Sequence, residues 1–180
     1  PGVAGAATFT VNTTTDSVDA GSCSSTCSLR DAIIAANTGG GTNTITLPAG
    51  HYTLSIAPAG SDDATTGDLN IVSGDTLTIT AAGAATTTID ANHIDRVFNV
   101  ASGASLTLSG ATVTRGRPAT SGTPGGGLLN AGTLTLNNDV VSANGTTGTS
   151  ANGAGAENTG TMTVTNSTFS SNVIASTGVG

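Results

Sequence analysis

The chain has no Trp, no Gln and no Lys, a single Tyr, three Phe and only two cysteines in 180 residues. Each shortage excludes something. The four basic residues are all arginines (Arg30, Arg96, Arg115, Arg117), set against eleven acids for a net charge of −7. Neutralising phosphates needs a clustered basic face, so nucleic acid is not an expected partner. No apolar run approaches the roughly 18 to 20 residues needed to span a bilayer, so no membrane span is expected. Without Trp or stacked Tyr there is no platform for a sugar ring. Charged residues reach only 8%, which separates the chain from the highly charged, apolar-poor disordered class.

Gly, Ser, Thr and Asn make up more than half of the residues. One soluble domain is the default reading for this length. Cys23 and Cys27 lie close together in a chain with a Gly- and Ala-rich start, Pro1 to Ala7, and no signal peptide. These features predict a mature exported protein with one disulfide closing a small loop. The alternative is a reduced pair, since a metal site needs more ligands than two Cys and the distant His51 and His93.

An internal repeat organises the second half. Ser105-Leu106-Thr107-Leu108 recurs as Thr133-Leu134-Thr135-Leu136 and as Thr161-Met162-Thr163-Val164, at a spacing of 28 residues. The same offset links Val113, Val141 and Phe169, and also Asn130 to Asn158 and Asn144 to Asn172. Less regular copies stand at Thr76-Leu77-Thr78-Ile79-Thr80 and Thr44-Ile45-Thr46-Leu47. Apolar residues alternate with Thr, Ser or Asn, the period of a strand with one buried face. Short strands at a fixed interval predict a parallel β-solenoid, each coil stacked on the last at about 4.8 Å, with about five coils from Thr44 to Val173.

Three interior columns are expected: Leu106, Leu134 and Met162; Leu108, Leu136 and Val164; and Val113, Val141 and Phe169. Asn130, Asn144, Asn158 and Asn172 read as turn residues suited to left-handed backbone and able to ladder their amides from coil to coil. Extra residues gather at one corner, Arg117 to Pro124 and Thr146 to Asn152, where insertions project from one face. The one predicted helix, Ser28 to Asn37, carries the stripe Leu29, Ile33, Ile34 and Ala36 and ends at Gly39-Gly40-Gly41. It suits a lid over the first coil, with a capping strand at Phe9 to Val11. The expected division is a cap over residues 1–43 and coils over 44–180, with the 28-residue period running from about residue 98.

The run Cys27-Ser28-Leu29-Arg30-Asp31-Ala32-Ile33, followed by Ala35-Ala36-Asn37 and by Ile45-Thr46-Leu47-Pro48-Ala49-Gly50-His51-Tyr52-Thr53, resembles bacterial exported proteins whose N-terminal domain is named for the string Cys-Ser-Leu-Arg-Glu-Ala. Asp31 stands where that family has Glu. Ile89-Asp90-Ala91-Asn92 and Gly125-Gly126-Gly127-Leu128-Leu129-Asn130 are similar to the right-handed parallel β-helix repeats that follow this domain. The resemblance implies a right-handed parallel β-helix with an N-terminal amphipathic helix cap. It also implies secretion or display at a bacterial cell surface, commonly in adhesin-like or coat proteins. It implies no established reaction and transfers no catalytic residue. The chain stops at Thr177-Gly178-Val179-Gly180 without a capping helix or charged end. Two expectations follow: a continuation in a longer chain, or a second copy stacked head to tail into a filament.

Other functions leave weaker marks. Asp62, Asp63 and Asp68 form the best acidic cluster, with Asp90 and Asp95 next. A polar turn insertion accounts for them better than a pectinase-like acid and base does. They are also weak calcium candidates, like Asp16 and Asp19 near the cap, but no fixed calcium-loop spacing is present, and no cofactor is required. His51 and His93 lack an evident Ser or Cys partner. Arg30 with Asp31, and Asp95 with Arg96, read as ion pairs fixing the cap and a turn, and Arg115 and Arg117 as partners for Asp139. Asn12-Thr13-Thr14, Asn144-Gly145-Thr146 and Asn166-Ser167-Thr168 match the glycosylation pattern, which decides nothing in a chain so rich in Asn and Thr. Outward Thr at 76, 78, 80, 107, 133, 135, 161, 163 and 165 resembles the hydroxyl arrays of ice-binding solenoids. The leading expectation is a non-enzymatic structural or adhesive surface protein whose partners are copies of itself or surface glycans. A polysaccharide-active β-helix and an ice-binding solenoid are the alternatives.

Overall fold

A computed structural model describes residues 5–19, 23, 25–60, 62–148 and 151–175. The chain end Thr177-Gly178-Val179-Gly180 and the start Pro1 to Ala4 lie outside the described residues.

The single helix among the described residues, α1 (Leu29–Gly39), begins where the sequence supplies a reciprocal cap. The Ser28 hydroxyl accepts from the Asp31 amide at 3.0 Å, and the Asp31 carboxylate accepts from the Ser28 amide at 3.1 Å. A carboxylate in the first turn also complements the helix dipole. Burial opposes ionisation of Asp31, but the Asp19 amide and the Ser28 and Ser17 donors outweigh it and hold its pKa below the usual carboxylate value. Leu29, Ala32, Ile33 and Ala36 form the buried stripe. No helix among the described residues is long and apolar enough to cross a membrane.

All other regular structure among the described residues is strand: β1 (Ala7–Thr10), β2 (Thr42–Leu47), β3 (Gly50–Thr53), β4 (Leu69–Ile71), β5 (Thr76–Ala81), β6 (Thr87–Asp90), β7 (Phe98–Val100), β8 (Ser105–Ser109), β9 (Thr112–Thr114), β10 (Leu128–Asn130), β11 (Thr133–Asn137), β12 (Val140–Ser142), β13 (Gly145–Thr147), β14 (Ala156–Asn158), β15 (Thr161–Thr165), β16 (Thr168–Ser170) and β17 (Val173–Ala175). Every pairing is parallel. One sheet runs β1-β2-β5-β8-β11-β15, a second β4-β7-β10-β14, a third β3-β6-β9-β12-β16, and β13 pairs with β17. Each interior strand is thus bonded to its counterpart one repeat earlier and one repeat later, and each edge strand to one of the two.

The register follows the sequence repeat. Leu106 pairs with Leu134 and Leu134 with Met162, while Leu108, Leu136 and Val164 form the neighbouring column. Val113, Val141 and Phe169 are in register on the third sheet. Towards the N-terminus the offset loosens, to 29 residues from Leu77 to Leu106 and 34 from Ile45 to Ile79. Alternate residues of β1 to β12 enter one continuous apolar core that runs from Ile45 and Leu47 through Phe98 to Leu136 and Val141, with Ala156 and Met162 packed against it. Each such side chain contributes about 1.5 to 3 kcal/mol by leaving water.

The last repeat departs from the expected interior. Val164 is 44% exposed and Phe169 42%, whereas Leu136 and Val141 directly beneath them are fully buried. Apolar character directs a side chain to the interior side of its strand, but only a further strand on top removes it from water.

The turns correct a second expectation. Asn130, Asn144, Asn158 and Asn172 are not among the left-handed residues. Those positions fall to two other columns at the same 28-residue spacing: Gly110, Asn138 and Asn166, and Arg115, Ala143 and Ser171. The displaced asparagines point inward instead. Asn144 Nδ2 donates to Val113 O at 3.1 Å and to Asn172 Oδ1 at 3.1 Å, while its Oδ1 accepts from the Gly116 amide at 2.8 Å. Asn130 Nδ2 donates to Asn158 Oδ1 at 2.6 Å. These amide ladders satisfy main-chain groups that the bend strips from the strand ladders. Beside them the backbones pack so closely that a side chain at Gly126 would strike the carbonyls of Ala154 and Gly145.

Candidate functional site

Two surfaces stand out, a loop-bearing corner and a threonine face. The corner lies between the third and second sheets. The connections from β3 to β4, β6 to β7, β9 to β10 and β13 to β14 all cross it, so its loops vary while the strand register is kept. A groove of about 240 Å³ opens there, lined by Pro58, Asp62, Asp95, Arg96, Pro118 and Thr120 among others.

Its electrostatics rest on a buried pair: Arg96 Nη1 donates to Asp68 Oδ2 at 2.9 Å. Burial is the main influence on Asp68 and, reinforced by the negative charges of Asp95 and Asp62, overcomes Arg96 to push its pKa up to about 7. Asn70 Nδ2 reaches Asp68 Oδ1 at 2.8 Å and Asp62 Oδ1 at 3.3 Å. Asp63 faces away and accepts from the amide and hydroxyl of Thr65, which lower its pKa. Among the described residues no three His, Cys, Asp or Glu side chains gather in a metal-binding arrangement. The candidate trio Asp62, Asp63 and Asp68 is divided among Asn70, Thr65 and Arg96. Asp16 binds Arg30 and the amides of Ser55 and Ile56, and the Asp19 amide donates to Asp31.

Three expected ion pairs form with other partners. Arg30 ignores the adjacent Asp31, which is engaged in the helix cap. Its guanidinium instead binds Asp16 at 2.7 Å and the carbonyls of Ala64 and Gly67 at 2.8 Å each, fully buried. The Arg96 side chain takes Asp68, while Asp95 accepts from the Arg96 amide. Arg115 turns backward to Asp90, with Nε to Oδ1 at 2.7 Å and Nη2 to Oδ2 at 2.5 Å, and not forward to Asp139. Asp139 is buried and accepts from the Ala111 and Asn137 amides. Burial dominates there and raises its pKa to about 6.

His51 Nε2 lies 2.7 Å from the same Asp90 Oδ2. Burial raises the Asp90 pKa, but Arg115, the Asn92 amide and His51 together bring it below the usual value. His51 therefore sits on an ionic cluster. His93 occupies a left-handed turn position, its amide donating to Arg115 O at 2.9 Å. Cys23 and Cys27 form a disulfide beside the helix.

The threonine face is the outward side of the six-stranded sheet. Thr8, Thr44, Thr78, Thr107, Thr135 and Thr163 form one unbroken in-register column. Thr42, Thr76, Ser105, Thr133 and Thr161 lie on one side of it. Thr10, Thr46, Thr80, Ser109, Asn137 and Thr165 lie on the other. The sequence pattern located this array only from Thr76 onward, because the rows before it are offset by 34 and 36 residues and not by 28 or 29. The alternation Thr-x-Thr at residues 8–10 and 42–46 was the available signal.

Comparison of the chain with protein-family models, with curated proteins and with solved structures finds no match in any of the three.

Proposed function

We propose that the chain is a right-handed parallel β-helix capped by its N-terminal helix, and part of an exported bacterial surface protein with a structural or adhesive role. In this reading it extends by adding coil upon coil at the edge formed by β14, β15, β16 and β17. One observation carries the proposal. Val164 and Phe169 continue buried columns yet are exposed, and Ile174, in register with the buried Thr146, is 47% exposed. A further coil in the same register, from this chain or from a second copy, buries all three. The main chain points the same way: β1 and β15 are the two edges of one sheet, so head-to-tail stacking lets β15 of one copy pair with β1 of the next. The resemblance around Cys27 to Ile33 and the disulfide fit an exported setting.

The test is negative-stain electron microscopy and sedimentation of chain whose termini are verified by mass spectrometry. Self-assembly predicts fibres of uniform width that lengthen with concentration. Monodisperse monomers at high concentration would eliminate head-to-tail stacking.

A further inference from the structure

The threonine face calls for an explanation that neither core packing nor stacking supplies. Strand propensity favours Thr on any exposed sheet surface, and the molecule contains its own control. The second sheet, built from the same repeats, carries no Thr in β4, β7, β10 or β14, and its outward column is Asn70, itself buried beneath the corner, then the part-exposed Asn99, Leu129 and Glu157. The third sheet mixes its threonines with His51, Asp90 and Val140. Its Thr112 hydroxyl is spent on Ala84 O at 2.7 Å. On the six-stranded sheet the three columns carry no charged residue. Among the described residues none of their Thr or Ser hydroxyls hydrogen-bonds to protein, so each is free to hold water on the solvent side.

We propose that this face is a binding surface for crystalline water. Parallel pairing sets successive hydroxyls of a column about 4.8 Å apart, and the two-residue step along a strand sets the columns about 6.6 Å apart. That grid is close to the oxygen spacing on a prism plane of ice. The β-branched side chain restricts χ1, so hydroxyl and methyl keep one arrangement from row to row. Each hydroxyl both donates and accepts, and the methyl beside it shields the held water from disordered solvent. A charged side chain would organise water radially around itself, and the face has none. The inference concerns one face of a single copy and is independent of stacking.

The experiment measures ice recrystallisation inhibition, thermal hysteresis and partition of the purified full chain into slowly growing ice. The wild-type chain is expected to keep ice grains small and to enter the ice. The double variant Thr107→Lys, Thr135→Lys places two charges in the central column and is expected to lose both effects. Asn99→Lys adds a charge on the second sheet and is expected to retain them. Circular dichroism melting of each variant separates loss of binding from loss of fold. If the double variant does not fold, Thr107→Lys alone makes the same comparison. A wild-type chain without either effect, or a folded double variant equal to wild type, overturns the proposal. So does a change in sedimentation caused by the double variant, because the face is then an interface between copies.

Discussion

At the β1 end of the molecule α1 packs its buried stripe against the apolar core beside β1, β2 and β4, and at the β15 end the same core columns run out to the surface. The residues at the two ends are of similar kind. Ile45 and Leu47 in the first repeat are buried, while Val164 and Phe169 in the last are not. The closed end is also where the chain invests its polar chemistry: the Ser28 and Asp31 cap, the Arg30–Asp16 pair and the disulfide all lie within one short segment. Burial here is a property of the stack rather than of the residue. Closing an end takes a dedicated structure that the 28-residue unit does not contain.

The comparison can be broken most forcefully from the middle. Leu134→Asp puts an unpaired charge into a fully buried column, at a cost on the order of several kcal/mol, and is expected to unfold the neighbouring repeats. A variant with an unchanged thermal melt would show that this column does not carry the fold. Next comes the closed end. Asp16→Ala leaves Arg30 buried without its counter-charge and is expected to cost about 3 to 5 kcal/mol in chemical denaturation. A loss below about 1 kcal/mol would show that the Ala64 and Gly67 carbonyls suffice.

The third effect depends on pH. Asp68 and Asp139 have folded-state pKa values raised to about 7 and about 6 from 3.8. Their neutral forms favour the folded state, so this contribution is complete below about pH 4 and is lost as pH rises through 6 and 7. Asp31, Asp63 and Asp90 are shifted the other way, and their contribution falls away only in stronger acid. Melting temperature is expected to decline between pH 4 and pH 7, and Asp68→Asn to flatten that decline. A melt that rises across this interval would mean that Arg96 keeps Asp68 ionised. The smallest effect belongs to the open end. Val164→Asp, in the column beside that of Leu134, is expected to change monomer stability by no more than about 0.5 kcal/mol while abolishing any fibres. An effect on the scale of Leu134→Asp would mean that the edge is covered in solution.

Much of the architecture was legible because periodicity is a local signal. The alternation around Leu106, Leu134 and Met162 marks strands, and its spacing reappears as strand register. Partner choice was not legible. Arg30 lies next to Asp31 in sequence but is bonded to Asp16, since Asp31 is claimed by the helix cap. Arg115, at a left-handed turn position, bonds to Asp90 on the previous repeat. The amide-bearing asparagines and the left-handed residues are neighbours in sequence, Ala143 beside Asn144 and Ser171 beside Asn172. Composition pointed to Asn for the left-handed conformation, which Asn138 and Asn166 do adopt, but beside Asn144 and Asn172 it falls to Ala143 and Ser171. Of the candidate surfaces, the corner was foreseen from its insertions and the threonine face only in its later rows.

The pairing of every strand with its counterpart one repeat away has a kinetic consequence. Each new strand closes a loop of about one repeat, and the entropic cost of closing a loop grows only with its own length. Adding repeats to such a chain leaves that cost per repeat unchanged, so its relative contact order falls as it lengthens. A far longer protein of this design would meet the same elementary search at every step, and growth could proceed outward from the capped end as the chain emerges.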